Sequence, residues 1–379
     1  MTGEAWIGLI GSDARPWLLA SDEPAARLIT LSELLGRPPD DGEVVAAHAA
    51  VLADAGTAEL IDRLPAWEED RHLSGHDSPG FAPNLLGLLA DTGVRGGDDP
   101  RLERLLDAMA AHQDEEGRFQ SYGSSRMSRE PAWGSLLCDS HAISEALVRN
   151  GRADDPRTRR ALERMAAELA TTRQGRAWPC LPCLGFRGPG RKDEACLQVT
   201  LEALRTFACL PDSDRPPGLL DAARTALRAW RVRGEERPYM FGHGVAFKTV
   251  KWPPLWYGIL PMLDTLGRYP ALWQGPGARP EDRAALVELV ACLVAYNVDP
   301  DGTVTPLSCY RGFETFSFGQ KKRASPFATA RLLAAVRRFD ALAEDASSVD
   351  VLALPSSRGG SGHPVPPKVR PRSLAARAD

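Results

Sequence analysis

Apolar positions recur at helical spacing along most of the chain, and this pattern predicts pairs of helices. A stripe at i, i+3, i+4 and i+7, typical of a helix with one buried face, is formed by Leu102, Leu105, Leu106 and Met109. Two other segments, 85–90 and 136–147, are more evenly apolar, which is typical of a helix in an inner layer. The pattern therefore predicts alternating inner and outer helices.

The predicted helix pairs form an internal repeat of roughly 55–65 residues. Asp98-Asp99-Pro100-Arg101 in one copy matches Asp154-Asp155-Pro156-Arg157 in the next. Asp98 and Asp154 are the predicted caps of the outer helices, because a proline soon after a cap loses no hydrogen bond. The copies occupy 83–119, 134–178, 197–233, 256–304 and a half-unit from 325, after a weaker first copy within 20–66.

The repeat predicts an all-α fold in which each helix pair packs on its neighbours. Such pairs build either an open solenoid or a closed ring. We expect the repeats to form one domain over residues 1–342. Residues 343–379 are rich in Ser, Pro, Gly, Ala and Arg without periodicity, so we expect a disordered tail there.

Composition narrows the classes of function. The formal net charge is −4 and the sequence pI is near 6.0, which argues against a nucleic-acid-binding surface. No run of 18 apolar residues occurs, so we expect no membrane span. The N-terminus lacks the features of a signal peptide, and we expect a cytoplasmic protein. There, seven cysteines are expected to be reduced, buried or metal-bound rather than disulfide-bonded.

The segment Gln113-Asp-Glu-Glu-Gly117-Arg-Phe119 resembles the Gln-x-x-x-Gly-x-Trp motif of the squalene cyclase and protein prenyltransferase superfamily, with Phe in place of Trp. The region 24–340 also resembles uncharacterised bacterial prenyltransferase-like and squalene-cyclase-like repeat proteins. The matching stretches are 136–139, 178–180, 186–196, 239–244, 251–260 and 318–327. The resemblance implies an α/α toroid, a closed ring of inner and outer helices made of about five to six helical hairpins.

Two departures separate the fold from a reaction. The Asp-x-Asp-Asp motif of class II terpene cyclases does not occur in the sequence. The Asp-x-Cys pair that helps prenyltransferases to bind zinc is matched only by Asp193 and Cys196, whose spacing is one residue longer. The resemblance therefore implies a fold and leaves the reaction open.

A cysteine cluster is the first candidate site. Its predicted metal ligands, at helix starts and in one loop, are Cys138, Cys180, Cys183 and Cys196. Parallel inner helices would bring these thiols to one end of the fold, where they suit zinc or, alternatively, an iron–sulfur cluster. His72, His76 and His141 are expected to complete the shell, with Asp139 orienting a ligand. The alternative is that all are buried small side chains, as predicted for Cys209 and Cys292.

Basic and aromatic residues form the second candidate site. The predicted substrate-binding residues are Arg187, Arg191, Lys192, Lys248, Lys251, Trp256, Lys321 and Lys322. Glycine-rich loops and a helix start at Ser325-Pro326 would let them hold a phosphate, diphosphate or carboxylate. The alternative for the lysines and arginines is a solvated surface. Trp252, Trp256, Tyr257, Phe313, Phe316 and Phe318 either line an apolar cavity or pack in the core.

The candidate catalytic residues are Asp139, an acid on an inner helix, His243, a base in a glycine-flanked loop, and Tyr257, in the first turn of a helix. Together these features predict an enzyme that acts on a partly apolar, anionic, isoprenoid- or lipid-like molecule in bacterial biosynthetic metabolism. In this hypothesis a thiolate-bound zinc assists. The alternatives are a non-catalytic scaffold with a structural metal, and a metal-free terpene cyclase with Asp139 as its acid.

Overall fold

The computed structural model describes residues 3–68, 75–123, 131–180, 193–237, 241–355 and 371–374. The structure is mostly helical, at 53% of the described residues, as the apolar pattern predicted. Its α-helices are α1 (Ala5–Ile10), α2 (Arg15–Leu19), α3 (Pro24–Ile29), α4 (Gly42–Leu52), α5 (Ala55–Asp62), α6 (Ala82–Thr92), α7 (Pro100–Ala111), α8 (Leu137–Arg149), α9 (Pro156–Ala167), α10 (Leu197–Ala208), α11 (Leu219–Arg231), α12 (Val245–Lys248), α13 (Ile259–Leu266), α14 (Pro280–Asn297), α15 (Pro326–Arg337) and α16 (Ala343–Ser347).

Short strand pairs, which the apolar pattern did not predict, join some of these helices. Two are antiparallel hairpins, β1 (Ser121–Gly123) with β2 (Ala132–Gly134) and β3 (Ala170–Thr172) with β4 (Gly175–Ala177). The third pair is parallel, β5 (Lys251–Trp252) with β6 (Ser308–Cys309). Strands of two or three residues are too short to show an alternating pattern, which explains why they were not predicted.

The described chain divides into two compact units. Among the described residues, unit 1 comprises those within 3–54, 230–237, 241–355 and 371–374, and unit 2 comprises those within 55–229. In unit 2, α8 packs against α6 and against α10. Helices α7 and α9, which lie between these three helices in the sequence, also contact α8. Almost every residue of α8 and α10 is buried, as expected of inner helices.

The outer helices of unit 2 have the predicted buried stripe, but their caps lie one residue later than predicted. The four stripe residues of α7 are buried. Asp99 and Asp155, rather than Asp98 and Asp154, cap α7 and α9 and accept hydrogen bonds from the N–H groups of Arg101 and Arg157. The reason is local: Pro100 and Pro156 are the first helical residues, so the residue directly before each proline is the cap.

This difference gives a stability prediction. We expect Asp155→Ala to lower the free energy of unfolding by about 1 kcal/mol, because it removes a helix cap. Asp154→Ala is the matched control, since Asp154 is exposed and pairs with the exposed Arg159. Its expected effect is within about 0.5 kcal/mol. Denaturant unfolding of both variants checks the assignment, and equal losses would contradict it.

The repeat is visible as a recurrent contact between a loop and the inner helix that follows it. The backbone N–H groups of Phe119, Trp178 and Val304 donate to the hydroxyls of Ser140, Thr200 and Thr329, respectively. Each hydroxyl belongs to the fourth residue of its helix, α8, α10 or α15. The copy at 297–304 therefore keeps the structure of the repeat although its sequence motif is degenerate.

Unit 1 contains α1–α4, α12–α16 and the parallel strand pair. Helix α3 packs against α4 and α15, and α14 packs against α13 and α16. Helix α16 and Val351 are part of this unit, so ordered structure continues past the predicted boundary at 342. Farther on, the N–H of Arg372 donates to the carbonyl of Ala295 at 2.9 Å.

The structure also bears on the predicted burial of two cysteines and on the expectation of no membrane span. Cys292 is buried as predicted, but Cys209 is exposed, because it follows the last residue of α10 instead of lying within the helix. No single helix in the described ranges is long and apolar enough to cross a membrane; α4 and α5 reach that length and composition only when they are taken together.

Candidate functional site

Three side chains of unit 2 form a group that could hold a metal ion. One ligand atom from each of His76, Cys138 and Asp139 lies within 4.8 Å of the other two. Cys138 and Asp139 are in the first turn of α8, and His76 is in the loop before α6. Asp139 is buried, while His76 and Cys138 are half-buried. The group is therefore sheltered and differs from the exposed acidic clusters common on protein surfaces.

Local hydrogen bonds hold this group in place. Asp139 Oδ1 lies 2.9 Å from His76 Nδ1, and Asp139 Oδ2 accepts a 2.6 Å hydrogen bond from the hydroxyl of Ser121 in β1. Asn84 of α6 donates to the carbonyls of His76 and Ser78, each at 2.8 Å, which fixes the loop. Three elements of unit 2 thus converge on one carboxylate.

The surroundings of the group favour positive charge. Burial raises the pKa of the Cys138 thiol well above its usual value, and the charges of Asp139 and Glu202 raise it further. Burial alone would lower the pKa of His76, but the hydrogen bond and charge of Asp139, together with the charge of Glu202, raise it. A bound cation would offset this negative potential and stabilise the thiolate.

Glu202 is a buried acid beside the group that the sequence analysis missed. Its Oε1 accepts a 2.7 Å hydrogen bond from Gln198, and its Oε2 has no partner in the described part of the chain. Burial raises the pKa of Glu202 to about 8. The signal available in the sequence was a glutamate in the middle of a predicted inner helix.

The other predicted ligands have three different outcomes: some lie near Cys138, some lie outside the described residues, and one does not belong to the group. Cys180 and Cys196 are close enough to Cys138 for their charges to raise the pKa of its thiol. Burial raises the pKa of Cys196 itself. Cys183 and His72 lie outside the described residues. His141 does not belong to the group, since its Nε2 is 3.9 Å from Glu168 and its Nδ1 is 3.3 Å from the carbonyl of Val199.

The donor set fits zinc. Zn²⁺ binds thiolate, imidazole and carboxylate at bond lengths of about 2.0–2.3 Å. In tetrahedral coordination two ligand atoms of one zinc lie about 3.3–3.8 Å apart. A separation near the 4.8 Å limit of the group would therefore have to shorten by about 1 Å to accept the ion. A mixed set of three protein ligands is typical of catalytic zinc sites, in which a fourth position stays open. The residues present are therefore compatible with zinc.

The chain is distantly similar to a type II terpene cyclase. The solved structure is that of MstE from Scytonema in its apo form, at 14% sequence identity and a TM-score of 0.41, covering 90% of this chain and 89% of that one. A protein from Actinoplanes is similar at 17% identity and a TM-score of 0.38, covering 83% and 88% of the two chains. No family model matches the sequence. No curated protein matches it either.

Two of the predicted catalytic residues form a buried pair in unit 1, whereas Asp139 belongs to unit 2. His243 Nε2 lies 2.8 Å from the hydroxyl of Tyr257, and Trp230 and Phe247 pack edge-on or tilted against the imidazole ring. Burial, together with the charges of Arg233 and Lys248, lowers the pKa of His243 to about 3. His243 is therefore neutral at physiological pH.

The pKa of His243 predicts a pH dependence of stability. An unfolded histidine takes up a proton below about pH 6.5, whereas the folded chain resists this until about pH 3. Stability is therefore lost as the pH falls through this window. We expect His243→Gln, which keeps a hydrogen-bonding side chain, to make the slope of unfolding free energy between pH 6 and 4 shallower by about 1.4 kcal/mol per pH unit. Parallel slopes for variant and wild type in denaturant titrations would contradict this.

The predicted basic residues occupy different environments. Arg187, Arg191 and Lys192 lie outside the described residues. Lys248 is buried, with its ammonium 5.3 Å from the ring centre of Tyr296 and 5.8 Å from that of Trp230. Lys321 and Lys322 are exposed in the turn before α15. Lys251, Trp256 and Tyr257 line the same pocket of unit 1. The sequence analysis named all three as candidate site residues without assigning them to one pocket.

The helix start at Ser325-Pro326 is present, but the protein's own groups occupy it. Ser325 caps α15 by accepting from the N–H of Ala328 at 3.1 Å. The carboxylate of Glu23 accepts from the N–H of Phe327 at 3.0 Å. The expectation that this helix start offers N–H groups to a substrate anion is therefore wrong, because an internal carboxylate already fills that role.

Proposed function

We propose that the protein is a zinc-dependent enzyme that acts on a partly apolar, anionic small molecule, with His76, Cys138 and Asp139 as the zinc ligands. The convergence of these three donor types within 4.8 Å is the observation that carries the proposal. The toroidal closure implied by the sequence resemblance belongs to the same proposal, as does an isoprenoid- or lipid-like substrate. What the structure shows directly is the mostly helical architecture described above.

Zinc held by three protein ligands keeps one position open and supplies a Lewis acid for an anionic or carbonyl oxygen. The protein's residues prepare the site for this role. Ser121 donates to Asp139 Oδ2 and fixes the carboxylate. Glu202 is buried close enough to the site for its charge to raise the pKa values of His76 and Cys138.

The thiol of Cys138 argues for metal chemistry and against its use as a free nucleophile. Nucleophilic cysteines have a lowered pKa, because a nearby cation stabilises the thiolate. Around Cys138, burial and the neighbouring acids act in the opposite direction. The sulfur becomes a thiolate at neutral pH only when a cation is bound beside it.

Turnover measurements test the enzymatic part of the proposal. Farnesyl diphosphate and geranylgeranyl diphosphate are the first substrates to offer, with product formation followed by mass spectrometry. We expect turnover by the zinc-loaded protein, its loss after chelation, and its return on adding zinc. Cys138→Ser is expected to lower turnover at least about 100-fold, the upper range for loss of even an outer-shell partner of a metal. Cys209→Ser is the matched control and should retain full activity, since Cys209 is exposed at the end of α10.

Other outcomes would separate the alternatives. Bound zinc without zinc-dependent turnover would contradict the enzymatic role and support a structural metal. Turnover that survives chelation and Cys138→Ser, but is lost in Asp139→Asn, would contradict the role of zinc and support Asp139 as the acid of a metal-free cyclase.

A further inference from the structure

A second candidate site lies wholly within unit 1, whereas the residues proposed to bind zinc belong to unit 2. It is a pocket of about 610 Å³, including its open mouth, between α12, the β5–β6 pair and the start of α13. Its walls are largely apolar, and Trp256 and Pro254 contribute flat surfaces to them. The question is which ligand such a pocket would take.

A cation without a counterion lies in this pocket. Lys251 belongs to β5, directly opposite Ser308 of β6, and both line the pocket. The Lys251 ammonium lies 3.7 Å from the ring centre of Tyr310. Within the described ranges, Lys251 forms no ion pair with a carboxylate. Burial lowers the pKa of Lys251, and a bound anion would offset that cost.

The start of α13 points to the same kind of ligand. Gly258, Ile259 and Leu260 line the pocket, and no side chain caps this helix. In the described part of the chain, the N–H groups of these three residues have no acceptor. A helix start with free N–H groups attracts anions through both hydrogen bonds and the helix dipole.

We propose that this pocket binds a small molecule with an anionic head, a carboxylate or a phosphate, and a flat apolar body. The head is held by Lys251 and the N–H groups at the start of α13, and the body lies against Trp256 and Pro254. The proposal goes beyond the zinc chemistry and does not depend on it, because every residue involved belongs to unit 1.

Calorimetric titration with matched naphthalene compounds tests the charge requirement. The probes are 1-naphthoate, 1-naphthyl phosphate and the uncharged 1-naphthalenemethanol, each titrated at low salt into the full-length protein. We expect at least one anion to bind about ten-fold or more tightly than the alcohol, a gap that narrows as salt screens the charge. The stronger anion identifies the head group as carboxylate or phosphate. Equal binding of the alcohol, or no anion binding at millimolar concentration, would overturn the proposal.

Substitutions locate the binding. Lys251→Met, which keeps the length of the side chain without its charge, is expected to weaken anion binding about ten-fold and to leave binding of the alcohol unchanged. Lys251→Arg should retain most of the anion affinity, and it serves as the check if Lys251→Met fails to fold. Lys321→Met removes an exposed lysine and is the matched control. Unchanged anion binding by Lys251→Met would overturn the assignment.

A covalent probe gives an independent readout. The amine of Lys251 can add to the aldehyde of 4-formylbenzoate with loss of water, and added borohydride then supplies the hydride that reduces the imine to a stable amine. The chain has six lysines, so peptide mapping separates them readily. We expect preferential labelling of Lys251 that is suppressed by the tighter naphthyl anion. Uniform labelling of the exposed lysines without protection would contradict the proposal.

Discussion

Zinc is expected to raise the free energy of unfolding of the wild-type protein by about 4 kcal/mol when its free concentration exceeds the dissociation constant about 1,000-fold. The reason is that the folded chain assembles His76, Cys138 and Asp139 within 4.8 Å, whereas the unfolded chain does not. Cys138→Ser removes the thiolate and should abolish the increase. Denaturant unfolding with and without zinc measures the effect.

The control for this prediction is Cys209→Ser, which removes an exposed thiol and should respond to zinc as the wild type does. An increase of equal size in Cys138→Ser would show that zinc acts elsewhere in the chain. The absence of any increase in the wild type would contradict the proposed site.

The second large effect is expected at a buried ion network that joins the three inner helices of unit 2. Arg205 of α10 donates two hydrogen bonds to Glu145 of α8, at 2.6 and 2.7 Å. Arg149 of α8 lies 3.6 Å from the same carboxylate and donates at 2.6 Å to Asp91 of α6. Glu145 therefore balances two guanidinium groups.

Replacing Glu145 with methionine is expected to lower the free energy of unfolding by about 3 kcal/mol, because it leaves Arg205 largely buried without its carboxylate. The double variant Glu145→Met/Arg205→Met should recover most of this loss, since both charges are then gone. Arg159→Met breaks an exposed pair and is the matched control, with an expected effect within about 0.5 kcal/mol. A single variant as stable as the wild type would show that the network contributes little.

The outer helices of unit 2 could be predicted from the sequence because their signals are local. The stripe of α7 and the Asp-Pro starts of α7 and α9 follow from helical spacing and from the geometry of proline. The one-residue error in the caps arose because two aspartates precede each proline, and only the structure distinguishes their roles.

The inner helices show which features the apolar pattern does not predict. Their evenly apolar character predicted burial correctly, but α8 also buries His141, Ser144 and Glu145. Ser144 donates to the carbonyl of Ser140 in its own helix, whereas His141 and Glu145 meet Val199 and Arg205 of α10, which lie 58 and 60 residues away in sequence. Spacing along one helix contains no information about them.

The candidate site was predicted in part. Cys138 was singled out as a ligand, His76 as a residue that completes the shell and Asp139 as a group that orients a ligand. The structure instead brings all three into one group. Their convergence depends on how the loop before α6 folds onto the start of α8, which Asn84 fixes through two carbonyls. No short motif encodes that arrangement.

The pocket of unit 1 was beyond the reach of the sequence for a similar reason. Lys251 and Trp256 were predicted to bind substrate because of the residues that lie near them in the sequence. Their relation to Ser308 and Tyr310 depends on the β5–β6 pairing, which joins segments far apart in sequence through two residues each. Pairing of that length has no periodic signal.

X-ray absorption at the zinc edge probes the proposed metal centre, on full-length protein purified without a histidine tag and loaded with one equivalent of zinc. We expect one sulfur at about 2.3 Å and two or more nitrogen or oxygen neighbours at about 2.0–2.2 Å. We also expect Cys138→Ser to lose the sulfur shell and Cys209→Ser to keep it. A shell of four sulfurs would contradict the account and indicate a closed structural site built from cysteines alone. Failure to retain zinc at all would contradict the metal centre itself.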